Sequence, residues 1–227
     1  MTTLDPALAA WSHTADAAQR LLVMPDGCRD LIVQRRPGQP ARLELSPLMP
    51  APQQVAVVPG HVFLGVRLRP GARVDPRALA GAPVPDGPQA LAALAREAAS
   101  LPADVAELLD CLAAAQSPAR AARELGVSLR TLQRRALGAT GQPPGFWRRL
   151  ARARGTARAI LAGVPLAGAA LGGGYADQAH MTRELGRWFA MTPGALAASR
   201  ARPDHPAWTL REPGYDAPWT GEHISTR

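Results

Sequence analysis

"GVSLRTLQRRALGATGQPPGFWRR" (residues 126–149) and "GYADQAHMTRELGRWFAMTPGALAAS" (residues 174–199) are two versions of one phrase. Ala122-x-x-x-Gly126-Val127 answers to Ala170-x-x-x-Gly174-Tyr175, and Leu132-Gln133-Arg134 to Met181-Thr182-Arg183. Pro144-Gly145 answers to Pro193-Gly194. The separation is 48 residues before the turn and 49 after it, so the second turn is one residue longer. Each copy carries a small residue on a first helix, a glycine suited to a left-handed helix end, an apolar anchor on the next helix, an arginine, and a closing Pro-Gly. Ser117-Pro118 supplies an N-cap followed by proline at the first helical position, and Ser128 can cap the helix after the turn. Two short helices joined by a tight glycine-containing turn make a helix-turn-helix, here present twice.

Between the copies, Pro144 opens and Gly163 closes a linker helix, "PGFWRRLARARGTARAILA", roughly 25–30 Å long at 1.5 Å per residue. Pro165 starts a second short helix, "PLAGAAL". The run Gly172–Gly174 is expected to weaken that helix by up to about 1 kcal/mol per glycine relative to alanine.

Charge singles out the same region. All 26 basic residues are arginine. Residues 1–117 hold ten of them against eleven acids, and residues 201–227 hold three against four. Residues 118–200 hold thirteen against only Glu124, Asp177 and Glu184. The whole net charge of +8 therefore lies in one segment. Such a concentration suits a polyanion, whose condensed counterions are released when its phosphates are neutralised. Arginine adds a planar fork that can hold phosphate or guanine through two parallel hydrogen bonds.

Order, spacing and duplication together resemble the AraC/XylS family of bacterial transcription regulators over about residues 102–200. The most specific part is "GYADQAHMTRELGRWFAMTPGAL", with its glycine-aromatic start, apolar-x-Arg step and Thr-Pro end. Met181 and Leu185 stand where that family usually has aromatic residues. The resemblance implies a cytoplasmic, non-enzymatic regulator that binds double-stranded DNA as a monomer or homodimer. RNA polymerase and a small-molecule effector are further partners consistent with it, without cofactor, metal or membrane.

The recognition helices are expected at about 129–139 and 177–189, lying in successive major grooves. With Leu132 inward, Arg130, Thr131, Gln133 and Arg134 point outward from the first. Arginine suits guanine O6 and N7, and glutamine suits adenine N6 and N7. With Met181 inward, Asp177, Gln178, His180, Thr182 and Arg183 point outward from the second; Asp177 suits helix capping better than a contact to cytosine. Arg134 and Arg183 are base readers, phosphate clamps or partners of nearby acids. Arg148 and Arg149, followed on the linker by Arg152, Arg154 and Arg158, are candidates for phosphate contact, while Phe146, Trp147 and Leu150 are core.

The fold class expected is α+β: a small β-rich domain, then an all-α domain of two helix-turn-helix motifs. Residues 1–88 hold the β-rich candidate sensor and a Pro/Gly-rich connection from about residue 70. A connecting helix at 89–101 leads into the domain at 102–202, and the tail at 203–227 is expected to be flexible. "RLLVMPD", "DLIVQ", "ARLELS", "QVAVVPG" and "HVFLGVRLRPG" are short strand-like runs ended by turn residues. In the last, Val66 and Leu68 alternate with Arg67 and Arg69, as in a half-buried strand. Ser100 is the expected cap of a helix beginning near Pro102, carrying Val105, Leu108, Leu109 and Leu112 on one face. The stripe Leu91, Leu94, Ala95 and Ala98 serves either the chain's own core or a dimer seam.

Two rival functions remain at this stage. One is a DNA alkyl-transfer protein using Cys28 in "PDGCRDL" as acceptor, although a zinc-activated thiolate needs clustered ligands and the chain has two cysteines and five scattered histidines. The other is a DNA-binding module without ligand sensing. No run of 18 apolar residues occurs, and "MTTLDPALAAWSHTAD" carries acids where a signal peptide would be basic.

Overall fold

The computed structural model describes residues 2–201, so the tail at 203–227 lies outside the described residues. The amino half is built on a four-stranded antiparallel sheet. Its strands are β2 (Ala7–Thr14), β4 (Arg29–Arg35), β5 (Arg42–Leu45) and β7 (Val62–Leu68), in the order β2-β7-β4-β5. A two-stranded ribbon pairs β3 (Gln19–Val23) with β6 (Gln53–Val57). A small three-stranded sheet joins β1 (Thr3–Leu4), β9 (Ala99–Pro102) and β8 (Arg73–Val74). Helix α1 (Pro76–Ala80) follows β8, and α2 (Pro88–Ala98) packs across β7, β2 and β4.

The alternation on β7 is as expected: Val66 and Leu68 are buried with Leu31 and Val33 of β4. Leu91 and Ala95 of α2 close over them, with Leu94 partly buried beside. The apolar stripe of α2 thus covers its own sheet, and a dimer seam is not its use here. Gly65 of β7 lies opposite Trp11 of β2, whose indole occupies the space a Cβ would need. That indole donates to Asp30 Oδ1 at 2.8 Å, and Arg67 pairs with Asp26 and Asp30 at 3.2 and 3.4 Å.

Two local expectations differ from the structure, and one strand carried no sequence signal. Strand β2, "ALAAWSHT", has too many alanines to announce itself, yet pairs with β7 from end to end. Residues 99–102 leave the connecting helix to pair with both β1 and β8, so Ser100 sits opposite Arg73 in a sheet and caps nothing. Helix α3 (Ala103–Ala114) starts after Pro102 instead. Within the Pro/Gly-rich connection, Asp75 caps α1 by accepting from the Arg77 amide at 2.9 Å, with Pro76 at the first helical position.

The carboxyl half is helical: α3, then α4 (Pro118–Glu124), α5 (Leu129–Thr140), α6 (Pro144–Leu161), α7 (Leu166–Gly172), α8 (Gln178–Phe189) and α9 (Pro193–Ala198). Its core gathers Leu108, Leu112, Leu132, Trp147, Leu150, Met181, Leu185, Trp188 and Leu196 around α6. Met24, from the loop after β3, is buried in this same core, so the β-rich half and the helices share a packed boundary.

Candidate nucleic-acid interface

The two motifs repeat in backbone detail. Leu125 N donates to Ala121 O, Gly126 N to Arg123 O and Val127 N to Ala122 O. Gly173 N, Gly174 N and Tyr175 N donate in the same way to Ala169, Leu171 and Ala170. Gly126 at φ +64° and Gly174 at φ +66° make the left-handed turn that ends each first helix. Ala121, Ala122, Ala169 and Ala170 are buried, as close approach of the paired helices requires. The extra residue of the second turn falls before Asp177, which takes the place of Ser128.

Both caps are made. Ser128 Oγ accepts from Thr131 N at 3.1 Å, and Asp177 Oδ1 accepts from His180 N at 2.6 Å. Leu132 and Met181 are fully buried anchors, followed one turn later by Ala136 and Leu185. The repeat extends past the recognition helices. Pro144 and Pro193 each open the following helix, and the first copy adds a bond of its own, Thr140 Oγ1 accepting from Trp147 Nε1 at 2.9 Å.

The glycine run at 172–174 is not a defect inside a helix. Gly172 is the last residue of α7, Gly173 its cap and Gly174 the turn. A Cβ on Gly173 would collide with the Thr156 hydroxyl of α6 and with the Tyr175 ring. The expected weakening therefore applies to one terminal position at most.

Outward from α5 stand Arg130, Gln133, Arg134 and Arg135, all exposed. Leu137, one turn beyond Arg134 on the same face, is 54% exposed, although the sequence reading passed it over. From α8, Gln178, Arg183 and Arg187 are exposed. Among the described residues none of these polar side chains has a hydrogen bond or ion pair with another, so the acids near Arg134 and Arg183 do not engage them. The other candidates are engaged locally, Thr131, His180 and Thr182 partly buried and Asp177 exposed. Thr131 Oγ1 meets Ser128 Oγ at 2.9 Å, and Thr182 Oγ1 donates to Gln178 O at 2.8 Å. The His180 ring packs edge-on to Tyr175 at 5.2 Å and lies against the turn. Asp177 is occupied with its cap.

The linker arginines separate into distinct roles. Arg154 is 1% exposed and reaches the Pro25 carbonyl at 3.5 Å, tying α6 to the β-rich half; neither solvent nor phosphate can use it. Arg152 pairs with Glu184 of α8 at 3.4 Å and lies 4.4 Å above the Tyr175 ring, bracing the second motif against α6. Arg148 donates to Gln116 O at 2.9 Å. Burial first, then the neighbouring Arg152 and Arg149 charges, hold Arg148 below the usual guanidinium value. Such a crowded set of cations gains from an anion placed against it.

Residues 121–199 match the model of a family described as a helix-turn-helix domain. This segment is a helix-turn-helix domain of the AraC/XylS type. No curated protein and no solved structure matches the chain. The AraC-type domain is a DNA-binding domain, and it occupies the stretch that holds the chain's positive charge. Among the described residues no helix is long and apolar enough to cross a membrane.

Cys28 does not suit the alkyl-acceptor role. It is 5% exposed, and burial, with the charges of Asp26 and Asp30 adding to it, pushes its thiol well above the usual range. A thiol kept protonated and enclosed is a poor nucleophile.

Proposed function

We propose that the protein is a sequence-specific DNA-binding transcription regulator in which α5 and α8 enter successive major grooves. The observation that carries this reading is the pair of buried-anchor, capped helices at equivalent positions, each with outward side chains that no other described residue engages. Arg130, Gln133 and Arg134 would read bases from α5, and Gln178 and Arg183 from α8. Thr131, His180 and Thr182 would add contacts at the groove margin once their local hydrogen bonds yield. Asp177 serves as cap.

Arg148 and Arg149 would hold phosphates between the two grooves. With the helices about one DNA turn (~34 Å) apart, a single chain would span an asymmetric site. A closer spacing would require the duplex to bend towards the protein, at a cost on the order of a few kcal/mol. The β-rich half would act as the sensor.

Selection of bound sequences from a random duplex library tests the proposal. The expected result is one enriched site with two conserved blocks about a helical turn apart. Recovery of unenriched sequence at moderate salt would overturn it.

A further inference from the structure

The two motifs differ on the outer face of their first helices. In the first copy that face carries Gln116, just before α4, then Ala119, Arg120 and Arg123, all exposed. The positions 48 residues on hold Val164, just before α7, then Ala167, Gly168 and Leu171, again all exposed. Both sets have the spacing of one helix face, but in the second copy the face turned to solvent is apolar. Leu171 is 81% exposed and Val164 40%. Gly168 has no side chain to fill the place between them, and a Cβ there would meet only Val164, at 3.5 Å. No residue from Ala159 to Ala176 is charged, although the arginines of the helical half stand on either side. A single exposed leucine is ordinary, whereas an apolar patch at helical spacing marks a face that another surface covers.

The chain's own end arrives at this face. Helix α9 runs into a 3-10 turn, Ser199–Ala201, in which Ser199 is buried. The Arg200 guanidinium lies over Gly163, within 3.1 Å of where a Cβ would stand, and Gly163 directly precedes Val164. Residues 202–227 hold Trp208, Leu210, Tyr215 and Trp219 among four prolines. Prolines so spaced keep a segment from forming a helix of its own. In an extended chain Trp208 and Leu210 point to one side. Trp208 stands seven residues beyond Ala201, a reach of up to roughly 25 Å, and α7 is only about 10 Å long.

We propose that the segment following Ala201 folds back along α7 and seats Trp208 and Leu210 on the face formed by Val164, Ala167, Gly168 and Leu171. An indole is flat enough to lie over Gly168 between the two larger side chains. The segment is joined to the protein beside this face, so it meets the face at an effective concentration on the order of millimolar. A second copy or a separate partner lacks that advantage. Seated there, the segment covers the outer side of α7, whose inner side packs on α6 and α8. The first motif needs no such cover, because its equivalent face is polar. Up to Leu210 this replaces the flexible tail expected from the sequence.

The test is fluorine NMR of the full chain labelled with 5-fluorotryptophan, recorded without DNA. Trp208→Phe assigns the Trp208 signal among the five. That signal is expected away from the position of free fluorotryptophan, with a reduced solvent isotope shift in deuterium oxide, independent of protein concentration. Ala167→Glu and Leu171→Glu should each return it to the free position. Ala119→Glu, the same change at the equivalent place of the first motif, should leave it unmoved. All three replaced residues are exposed, and unmoved Trp11 and Trp147 signals show that each variant keeps the core. A free Trp208 signal in the wild type overturns the proposal. So does a displaced signal that neither α7 variant moves, which would seat the tail elsewhere. So does a displacement that fades on dilution while sedimentation shows dimers parting, which would assign the face to a second copy.

Discussion

Arg130, Gln133, Arg134 and Leu137 line the open face of the first recognition helix, and the equivalent positions of the second hold Ala179, Thr182, Arg183 and Gly186. The backbone beneath them is the same, from left-handed turn to cap to buried anchor. One frame therefore presents two different surfaces. The first offers long polar side chains and an exposed leucine able to meet a thymine methyl. The second has small residues, Ala179 and Gly186, at two of these positions, and its long side chains Gln178 and Arg187 stand at other places along the helix. Even the charge that follows differs: Arg135 projects freely from α5, whereas Glu184 of α8 is engaged by Arg152.

Their support differs as well. Both helices bury their anchors in one core, but α5 packs on α3, α4 and α6, and α3 in turn packs on β9 of the amino half. Helix α8 rests on α6, α7 and α9. The largest effects should follow from this contrast. Leu132→Ala and Met181→Ala each remove a fully buried side chain and should each cost about 2–5 kcal/mol. Leu132→Ala is expected to lower the stability of the whole chain in urea. Met181→Ala should first raise hydrogen exchange within residues 166–198, whose wild-type protection is expected to be the lower of the two motifs. Equal protection of the two motifs in wild type, with equal global losses in the variants, would break the contrast.

Smaller effects are expected at the surface. Arg134→Ala should weaken binding to the selected duplex by about 1–3 kcal/mol and relax preference at one or two base pairs. Arg183→Ala should cost less, because Thr182 and Gly186 stand beside it where Gln133 and Leu137 stand beside Arg134, leaving fewer contacts made in common with it. Fluorescence anisotropy against the selected site and its single-base variants separates these outcomes. A uniform loss over all sequences would make Arg134 a phosphate contact, and a greater loss at Arg183 would reverse the ranking of the two helices.

Much of the helical half was legible because its signals are local. Ser117-Pro118, Gly126, Ser128, Pro144 and Gly163 mark ends by chemistry that acts within a few residues, and the duplication allowed one copy to check the other. The β-rich half was less legible because its pairing is distant. Nothing within "ALAAWSHT" foretells that β7 will hold it, and nothing near Ser100 foretells a sheet that joins Thr3 to Arg73. Outward positions on α5 and α8 followed from burial of Leu132 and Met181. Whether an outward arginine is already engaged depends on residues far along the chain: nothing near Arg148, Arg152 or Arg154 foretells Gln116, Glu184 or Pro25 as the partner.

The smallest effect isolates the backbone itself. Both recognition helices end on a left-handed residue, Gly141 at φ +71° in the first and Ala190 at φ +54° in the second. Alanine in that region costs about 1–2 kcal/mol, because its Cβ crowds the following carbonyl. Glycine escapes this cost but gives up about 0.4–1 kcal/mol through the greater freedom of the unfolded chain. Ala190→Gly should therefore stabilise the protein by about 0.5–1 kcal/mol. Gly141→Ala should lose a similar amount, since the added methyl would meet nothing within 4 Å and only the dihedral angle is at stake. Urea midpoints of the two variants check the pair. Opposite shifts of similar size would show that the two helix ends are one structure solved with different residues. A neutral Ala190→Gly would mean that the second end relaxes out of the left-handed region in solution, and the equivalence of the two motifs would then stop at their last turn.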